Sequence, residues 1–148
     1  MAKVLAVCIS EKKGEKKHPV EKIEIRTDHG IVGDAHAGNW HRQISLLAKE
    51  SVDKMRERIP IELRAGDFAE NILTEGIILH ELEVGTVLRV GDTEIEVTQI
   101  GKECHSDCEI KKQVGICVMP LEGIFCKVLK EGTIQAGDEI NIIGLGVC

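Results

Sequence analysis

Short apolar runs separated by glycine-containing turns are the feature that most constrains the fold of this chain. Residues 4–9 form a continuous apolar run, which is typical of a strand buried on both faces. Residues 20–25 mostly alternate between apolar and polar, as a half-buried strand does. The basic loop 11–18 precedes this second strand, and we expect its lysine-rich tip to be solvated. Many short strands with such turns predict a mainly β fold, a β-barrel with a few peripheral helices.

Turn residues also place two strand pairs later in the chain. The runs 87–90 and 94–97 flank a Gly-Asp turn, which predicts a β-hairpin. A last pair is expected at 124–129 and 139–143, because further glycine-containing turns lie between these two runs. One segment has a different period: between residues 48 and 59 the apolar side chains fall on one face of a helix.

Size and charge exclude several classes of protein. The chain has 148 residues, enough for one domain with a single core, and no apolar run approaches the roughly 18 residues that span a bilayer. A net charge of −6 argues against a protein that binds nucleic acid by neutralising its phosphates. With two Phe, one Trp and no Tyr, the chain also has few aromatic rings on which bases could stack. We therefore expect one domain over residues 1–148, no nucleic-acid partner and no membrane segment. A reducing cytoplasm is the expected compartment, with the six cysteines free of disulfides.

A cluster of two thiols and one imidazole follows the strand-like run 94–100. It comprises Cys104, His105 and Cys108, and Lys102 precedes it. A neighbouring cation favours the thiolate form of cysteine, so this pattern predicts a reactive thiol at Cys104. The alternative is that Cys104 is a small buried hydrophobic residue, since free cysteines are among the most buried side chains.

A glycine-rich stretch at residues 30–38 is followed at once by further polar residues. Asp34, His36, His41 and Arg42 supply groups that can converge on an anion. Three of them also have a structural explanation: Asp34 closes a turn, His36 makes a structural hydrogen bond, and Arg42 pairs with a carboxylate. The polar groups of another stretch, 66–76, either hold a loop together or bind a ligand.

In their order along the chain, these segments resemble one family. The motifs are G-x-x-G-D-x-H-x-G, R-Q-x-S-L-L, G-D-F-x-E-N-I-x-T-E-G, L-x-x-G-x-x-L-x-x-G, E-V-T-Q, a cysteine, and V-L-x-x-G-x-x-x-A-G-D. This succession, from about residue 30 to residue 143, is similar to the MOSC domain. That domain forms the C-terminus of eukaryotic molybdenum-cofactor sulfurases and also exists as free-standing bacterial proteins.

The resemblance implies a MOSC-type β-barrel and a role in molybdenum-cofactor chemistry. It implies binding of the cofactor (molybdopterin), transfer of sulfur to it as a cysteine persulfide, or its use to reduce N-hydroxylated compounds. Cys104 matches the family's cysteine and is thus the candidate persulfide carrier or molybdenum ligand. The candidates to contact the cofactor are Asp34, His36, Arg42, Asn71 and Thr74. The implied partners are a cysteine desulfurase or another sulfur donor, and a molybdoenzyme acceptor.

The chain departs from the family just before the cysteine. Relatives have the form P-R-x-P-C, whereas this chain has Gly101-Lys102-Glu103-Cys104. Lys102 replaces the arginine as a point charge without the bidentate fork. In the resulting hypothesis Cys104 takes up sulfane sulfur, Lys102 and His105 supply the cation, and Cys108 resolves the persulfide. The chain would then be a sulfurtransferase of the carrier type or a cofactor-dependent oxidoreductase module.

Two alternatives belong to other classes. Cys104, His105, Cys108 and Cys117 are candidate ligands of zinc or an iron–sulfur cluster, because thiolates and imidazole suit these metals. Their spacing lacks the doubled C-x-x-C form that is typical of structural zinc. The third hypothesis is a non-catalytic docking partner of a molybdoenzyme.

Overall fold

The computed structural model describes residues 2–12, 17–35, 37–56, 65–66, 70–101 and 123–144. Its α-helix is α1 (Lys49–Arg56), and a short 3₁₀ helix spans Leu79–Glu81. The strands are β1 (Lys3–Ile9), β2 (His18–Val20), β3 (Lys22–Arg26), β4 (Gly30–Ile31), β5 (Ile44–Ala48), β6 (Ile72–Glu75), β7 (Val87–Val90), β8 (Thr93–Ile100), β9 (Ile124–Lys130), β10 (Gly132–Gln135) and β11 (Ile140–Gly144).

The strands form two sheets. The larger has eight strands in the order β11-β7-β8-β9-β5-β6-β1-β2, and the smaller has three in the order β10-β3-β4. All described strand pairs are antiparallel except β5 and β6, which are parallel. A parallel pair requires a crossover connection, and α1 lies in the chain between these two strands.

The predicted mainly β class is confirmed. The prediction of a β-barrel is corrected, because over the described ranges the two sheets are not closed into a barrel. The chain at the start of β1 meets the segment 137–140, which ends at the first residue of β11. The Val4 N–H donates to the Asp138 carbonyl at 2.8 Å, and the Gly137 N–H donates to the Val4 carbonyl at 2.7 Å. A single bridge, between Lys3 and Glu139, accompanies them. The Ile140 N–H, in the first residue of β11, donates to the Ala2 carbonyl at 3.0 Å, and from Ile140 onward β11 pairs with β7.

The core lies between the two sheets and is built from branched aliphatic side chains. Ile25 and Ile31 of the small sheet are fully buried in the same cluster as Ile44, Leu46 and Ile95 of the large sheet. Burial of this apolar surface is the main source of stability for a fold whose helical content is small.

Cys126, on β9, belongs to this core and is fully buried. Burial raises the pKa of its thiol far above the usual range, and the charge of Glu96 acts in the same direction. A cysteine reacts as its thiolate, so Cys126 is an inert packing residue at neutral pH.

Several elements expected from the sequence are confirmed. The first strand is β1, and the hairpin is β7–β8, with Val90 opposite Thr93 across its turn. The second run is divided into β2 and β3, and the last strand pair contains an additional strand, β10. The predicted helix is α1; residues 57–59 of that prediction lie outside the described residues. None of the helices in the described segments is long and apolar enough to span a bilayer.

Candidate functional site

The candidate site lies at the C-terminal end of β8. The Gly101 N–H donates to the Gly123 carbonyl at 2.7 Å, which joins the two ends of the segment between them. That segment, residues 102–122, lies outside the described residues. It contains the predicted residues Lys102, Cys104, His105, Cys108 and Cys117, whose roles stay predictions. His36 also lies outside the described residues.

Gln99, near the end of β8, connects three groups. Its Oε1 accepts hydrogen bonds from His41 Nε2 at 2.9 Å and from Arg42 Nε at 3.0 Å. Its Nε2 donates to the Gly101 carbonyl at 2.7 Å. The neighbouring Thr98 hydroxyl contacts the His41 carbonyl, which fixes the same loop a second time. The loop before β5 is therefore held against the point where the cysteine-containing segment begins.

Arg42 is the charged group of this site. Its guanidinium carbon lies 5.3 Å from the centre of the Phe125 ring and 5.9 Å from that of Trp40, within the range of cation–π attraction. Across the described residues no carboxylate pairs with Arg42, and its terminal nitrogens donate to no other group. The carboxylate partner that a structural role would supply is thus not found in this part of the chain.

Asp34, another predicted cofactor contact, forms a buried ion pair. Its Oδ1 is 2.8 Å from Lys17 Nζ and 3.1 Å from the Ser10 backbone nitrogen, and both charged side chains are inaccessible to solvent. Burial lowers the pKa of Lys17, while the hydrogen bond and charge of Asp34 oppose that shift. The expectation that the lysine-rich loop is solvated is wrong for Lys17, because Lys17 finds a buried carboxylate partner.

Glu70 and Gly66 extend this buried polar group. The Gly66 N–H donates to Glu70 Oε2 at 2.9 Å, and the Lys17 N–H donates to the Gly66 carbonyl at 2.8 Å. Gly66 has a φ of +88°, and a Cβ there would lie 2.0 Å from the Lys17 carbonyl oxygen. Only glycine fits this position. For these two residues of the stretch 66–76, the contacts are those that hold a loop together.

Asn71 is fully buried and connects three strands. Its Oδ1 accepts from the Ser45 N–H at 2.9 Å and from the Ser45 hydroxyl at 3.1 Å, and its Nδ2 donates to the Cys8 carbonyl at 3.0 Å. These bonds join the start of β6 to β5 and β1. Both ends of the carboxamide are therefore used inside the protein.

Thr74, on β6, is also fully buried. It lies opposite Val4 of β1 and beside Ala48 of β5, both members of the core cluster. Its hydroxyl has no hydrogen-bond partner among the described residues. The predicted cofactor contacts therefore differ in solvent accessibility. Arg42 is partly accessible, whereas Asp34, Asn71 and Thr74 are buried. Their predicted contact with a cofactor stays a prediction.

The MOSC domain pattern matches residues 33–141 of this chain. The chain belongs to the MOSC domain family. This family is known in proteins related to molybdenum-cofactor sulfurases. The MOSC match includes Arg42, Asn71 and Gln99, but it begins after Ser10 and Lys17, so the buried ion pair is formed partly by residues outside it.

Solved structures share the fold of this MOSC chain. The YuaD protein from Bacillus subtilis has a TM-score of 0.75 at 18% identity, covering 95% of this chain and 94% of that chain. YiiM from Geobacillus stearothermophilus has a TM-score of 0.74 at 20% identity, and the match covers 97% of this chain and 75% of that chain. YiiM from Escherichia coli has a TM-score of 0.72 at 17% identity, and the match covers 99% of this chain and 72% of that chain. At these identities the similarity is one of fold. No curated protein matches the chain.

The sequence of this MOSC chain does not reveal the role of Gln99, which connects the groups of the site, or that of Lys17, which forms the buried ion pair with Asp34. Gln99 was visible as the last letter of the E-V-T-Q motif, but nothing in the sequence shows which groups a strand-end glutamine will reach. Lys17 is one of several lysines in a basic loop, and no local pattern distinguishes it from its neighbours. His41 is one of the polar groups that follow the glycine-rich stretch, but the resemblance to the family does not single it out as a cofactor contact.

Proposed function

We propose that this MOSC protein binds a molybdenum cofactor at the C-terminal end of β8 and carries sulfur as a persulfide on Cys104. The observation that carries the proposal is Arg42. Its charge has no carboxylate partner in the described part of the chain, although the protein is acidic overall. Gln99 connects Arg42 to Gly101, because its side chain hydrogen-bonds to both. Cys104 follows Gly101 by three residues, and three extended residues span about 10 Å.

The donors at this end of β8 fit the anionic part of such a cofactor. The terminal guanidinium nitrogens of Arg42, which have no partner among the described residues, suit a phosphate group, and the Trp40 and Phe125 rings flank the charged plane. Arg42 is the described residue that would hold the phosphate, with Lys102 as the second cation. When bound, the cofactor supplies a molybdenum centre that can accept sulfur.

The sulfur-carrying step belongs to the cysteine. The Cys104 thiolate attacks the terminal sulfur of a donor persulfide, the donor's S–S bond breaks, and its electron pair leaves with the donor thiolate. A new S–S bond on Cys104 results, with no net oxidation or reduction. Lys102 and His105 favour the thiolate that this attack requires. Attack of the Cys108 thiolate on Cys104 Sγ would then release hydrosulfide and leave a disulfide between the two cysteines.

Sulfur loading on Cys104 is tested by anaerobic intact-mass spectrometry after exposure to a cysteine desulfurase and its substrate. The native chain is expected to gain one sulfur atom, and Cys104→Ser to gain none. Cys117→Ser is the matched control and should load like the native chain, whereas Cys108→Ser should retain the added sulfur longer. Equal loading of the native chain and Cys104→Ser would disprove the carrier role. Stoichiometric zinc or iron in the same samples would favour the metal-site hypothesis instead.

Cofactor retention by Arg42 is tested with Arg42→Met, which keeps the apolar stem and removes the charge. We expect pterin content to fall about tenfold or more, because charge-assisted hydrogen bonds to a phosphate are lost. The measurement is the fluorescence of oxidised pterin released from protein purified from cells that make the cofactor. Arg89→Met, at an exposed position on β7, is the control. Pterin content that is equal in Arg42→Met and the native protein would contradict the assignment.

A further inference from the structure

The side-chain amide of Gln99 has only one possible orientation. The Gly101 carbonyl 2.7 Å away can only accept a hydrogen bond, so the atom of Gln99 that faces it must be the NH₂ group. Arg42 Nε–H, 3.0 Å from the other end, can only donate, so that end must be the oxygen. Two independent partners therefore fix the same orientation, and the flip that is often ambiguous for glutamine is excluded here.

This orientation determines which nitrogen of His41 carries hydrogen. His41 Nε2 lies 2.9 Å from the same Gln99 oxygen, so it must donate. In the neutral ring the lone pair then belongs to Nδ1. Among the residues that the structure describes, none hydrogen-bonds to that nitrogen, and the exposed His41 ring makes a T-shaped contact with Trp40. His41 thus presents an acceptor to a ligand.

The same oxygen also aims Arg42. Because Nε is occupied by Gln99, both terminal nitrogens remain as the donors available to a ligand, and Phe125 borders the guanidinium plane. The Gln99 Oε1 atom thereby determines which nitrogens of Arg42 remain available as donors and which nitrogen of His41 remains available as an acceptor. Neither side chain would be held in this way by packing alone, since His41 is exposed and Arg42 is only half-buried.

We propose that Gln99 is the positioning residue of this site: it holds Arg42 as an oriented donor for an oxyanion of the phosphate class and holds His41 in its Nε2–H tautomer. The inference rests on the proposed function in one respect, the assignment of this end of β8 as the anion site. It goes further in naming the residue that organises the site and the acceptor that accompanies the arginine. A ligand group that brings both anionic oxygens and a hydrogen-bond donor is complementary to this pair.

Gln99→Met and Gln99→Glu separate the two consequences. Methionine keeps the length of the side chain and removes both hydrogen-bonding groups. Glutamate keeps an acceptor for His41 and Arg42, but it loses the donor to Gly101 and places a negative charge beside the guanidinium. A residue with only a packing role would not distinguish these two variants by their effects on His41.

The first readout is nuclear magnetic resonance of ¹⁵N-labelled protein without any cofactor, at a pH where the rings are neutral. In the native protein, His41 should show hydrogen on Nε2 and a bare Nδ1, with slow exchange of its Nε2–H and of the Arg42 Nε–H. Both exchange rates should rise about tenfold in Gln99→Met and stay slow in Gln99→Glu. A native Nδ1–H tautomer, or unchanged exchange in Gln99→Met, would overturn the proposal.

The second readout is binding of inorganic phosphate, followed by the fluorescence of Trp40. The chain has one tryptophan and no tyrosine, so the signal comes from the residue next to His41. The dissociation constant should rise about fivefold in Gln99→Met, and further in Gln99→Glu because a carboxylate neutralises Arg42. No phosphate binding by the native protein, or equal binding by Gln99→Met, would refute the anion-positioning role. Neither readout involves sulfur or pterin, so failure of the Cys104 and Arg42 tests would not be mistaken for failure here.

Discussion

Lys17→Met is expected to lower the free energy of unfolding by about 3–5 kcal/mol, because it leaves the Asp34 carboxylate buried without its cation. Methionine keeps the unbranched stem, so little packing is lost with the charge. The hydrogen bond from the Ser10 N–H does not replace the positive charge that Lys17 places beside this buried carboxylate. Since domains of this size have only about 5–15 kcal/mol of stability, the loss is a large fraction of the total. Urea denaturation followed by circular dichroism measures it.

Two further variants test the cause of this loss. Lys17→Met with Asp34→Leu removes both charges together and should recover part of the lost stability, because a buried pair costs less to replace than to break. Lys49→Met makes the same substitution in the accessible Lys49–Asp53 pair, whose atoms are 3.0 Å apart. It should cost no more than about 0.5 kcal/mol. If Lys17→Met lowered the free energy of unfolding as little as Lys49→Met does, burial of the Lys17–Asp34 pair would not be the cause of the predicted loss.

Asn71→Ala is expected to lower the free energy of unfolding by about 3 kcal/mol or more. The substitution removes three hydrogen bonds from a fully buried site, those of the Asn71 side chain with the Ser45 N–H, the Ser45 hydroxyl and the Cys8 carbonyl. The net contribution of one such hydrogen bond is about 1 kcal/mol, so the loss of three accounts for about 3 kcal/mol. The midpoint of urea denaturation, with an unchanged slope, is the measurement.

The control for Asn71 is Asn141→Ala, which makes the same truncation at an exposed position on β11. It should change stability by less than about 0.5 kcal/mol. A loss in Asn71→Ala no larger than that of the control would mean that the connection between β1, β5 and β6 is not maintained by this carboxamide.

The predicted elements that agree with the structure are those that depend on the hydrophobic periodicity and turn residues of a short stretch of sequence. The β7–β8 hairpin follows from alternation on both sides of one turn, and α1 follows from a period that no strand can share. β5 was not predicted, because a short apolar run next to a helical pattern does not reveal whether it is strand or helix. The β-barrel was predicted from the short strands and turns and again from the family, yet its closure depends on how far the pairing between β1 and β11 extends, which no local pattern encodes.

The candidate site shows the same division between local and distant information. Arg42 was identified as an anion contact from its motif, and the structure leaves its terminal nitrogens without a described partner. Asp34 and Asn71 were identified by the same kind of match, but the structure shows their side chains engaged inside the protein. A motif match reports that a residue type recurs at a position; it does not separate a ligand contact from a buried structural bond.

By itself, the sequence determined the mainly β class, the hairpin, the helix and the membership of the MOSC family, because each is encoded in periodicity, turn chemistry or the order of motifs. Only the tertiary structure decided that Lys17 is buried against Asp34 and that Gln99 holds His41 and Arg42. The physical reason is separation along the chain: Gln99 is 57 residues from Arg42 and Lys17 is 17 from Asp34. Hydrogen bonds and ion pairs depend on ångström-scale distances that only the packed sheets establish.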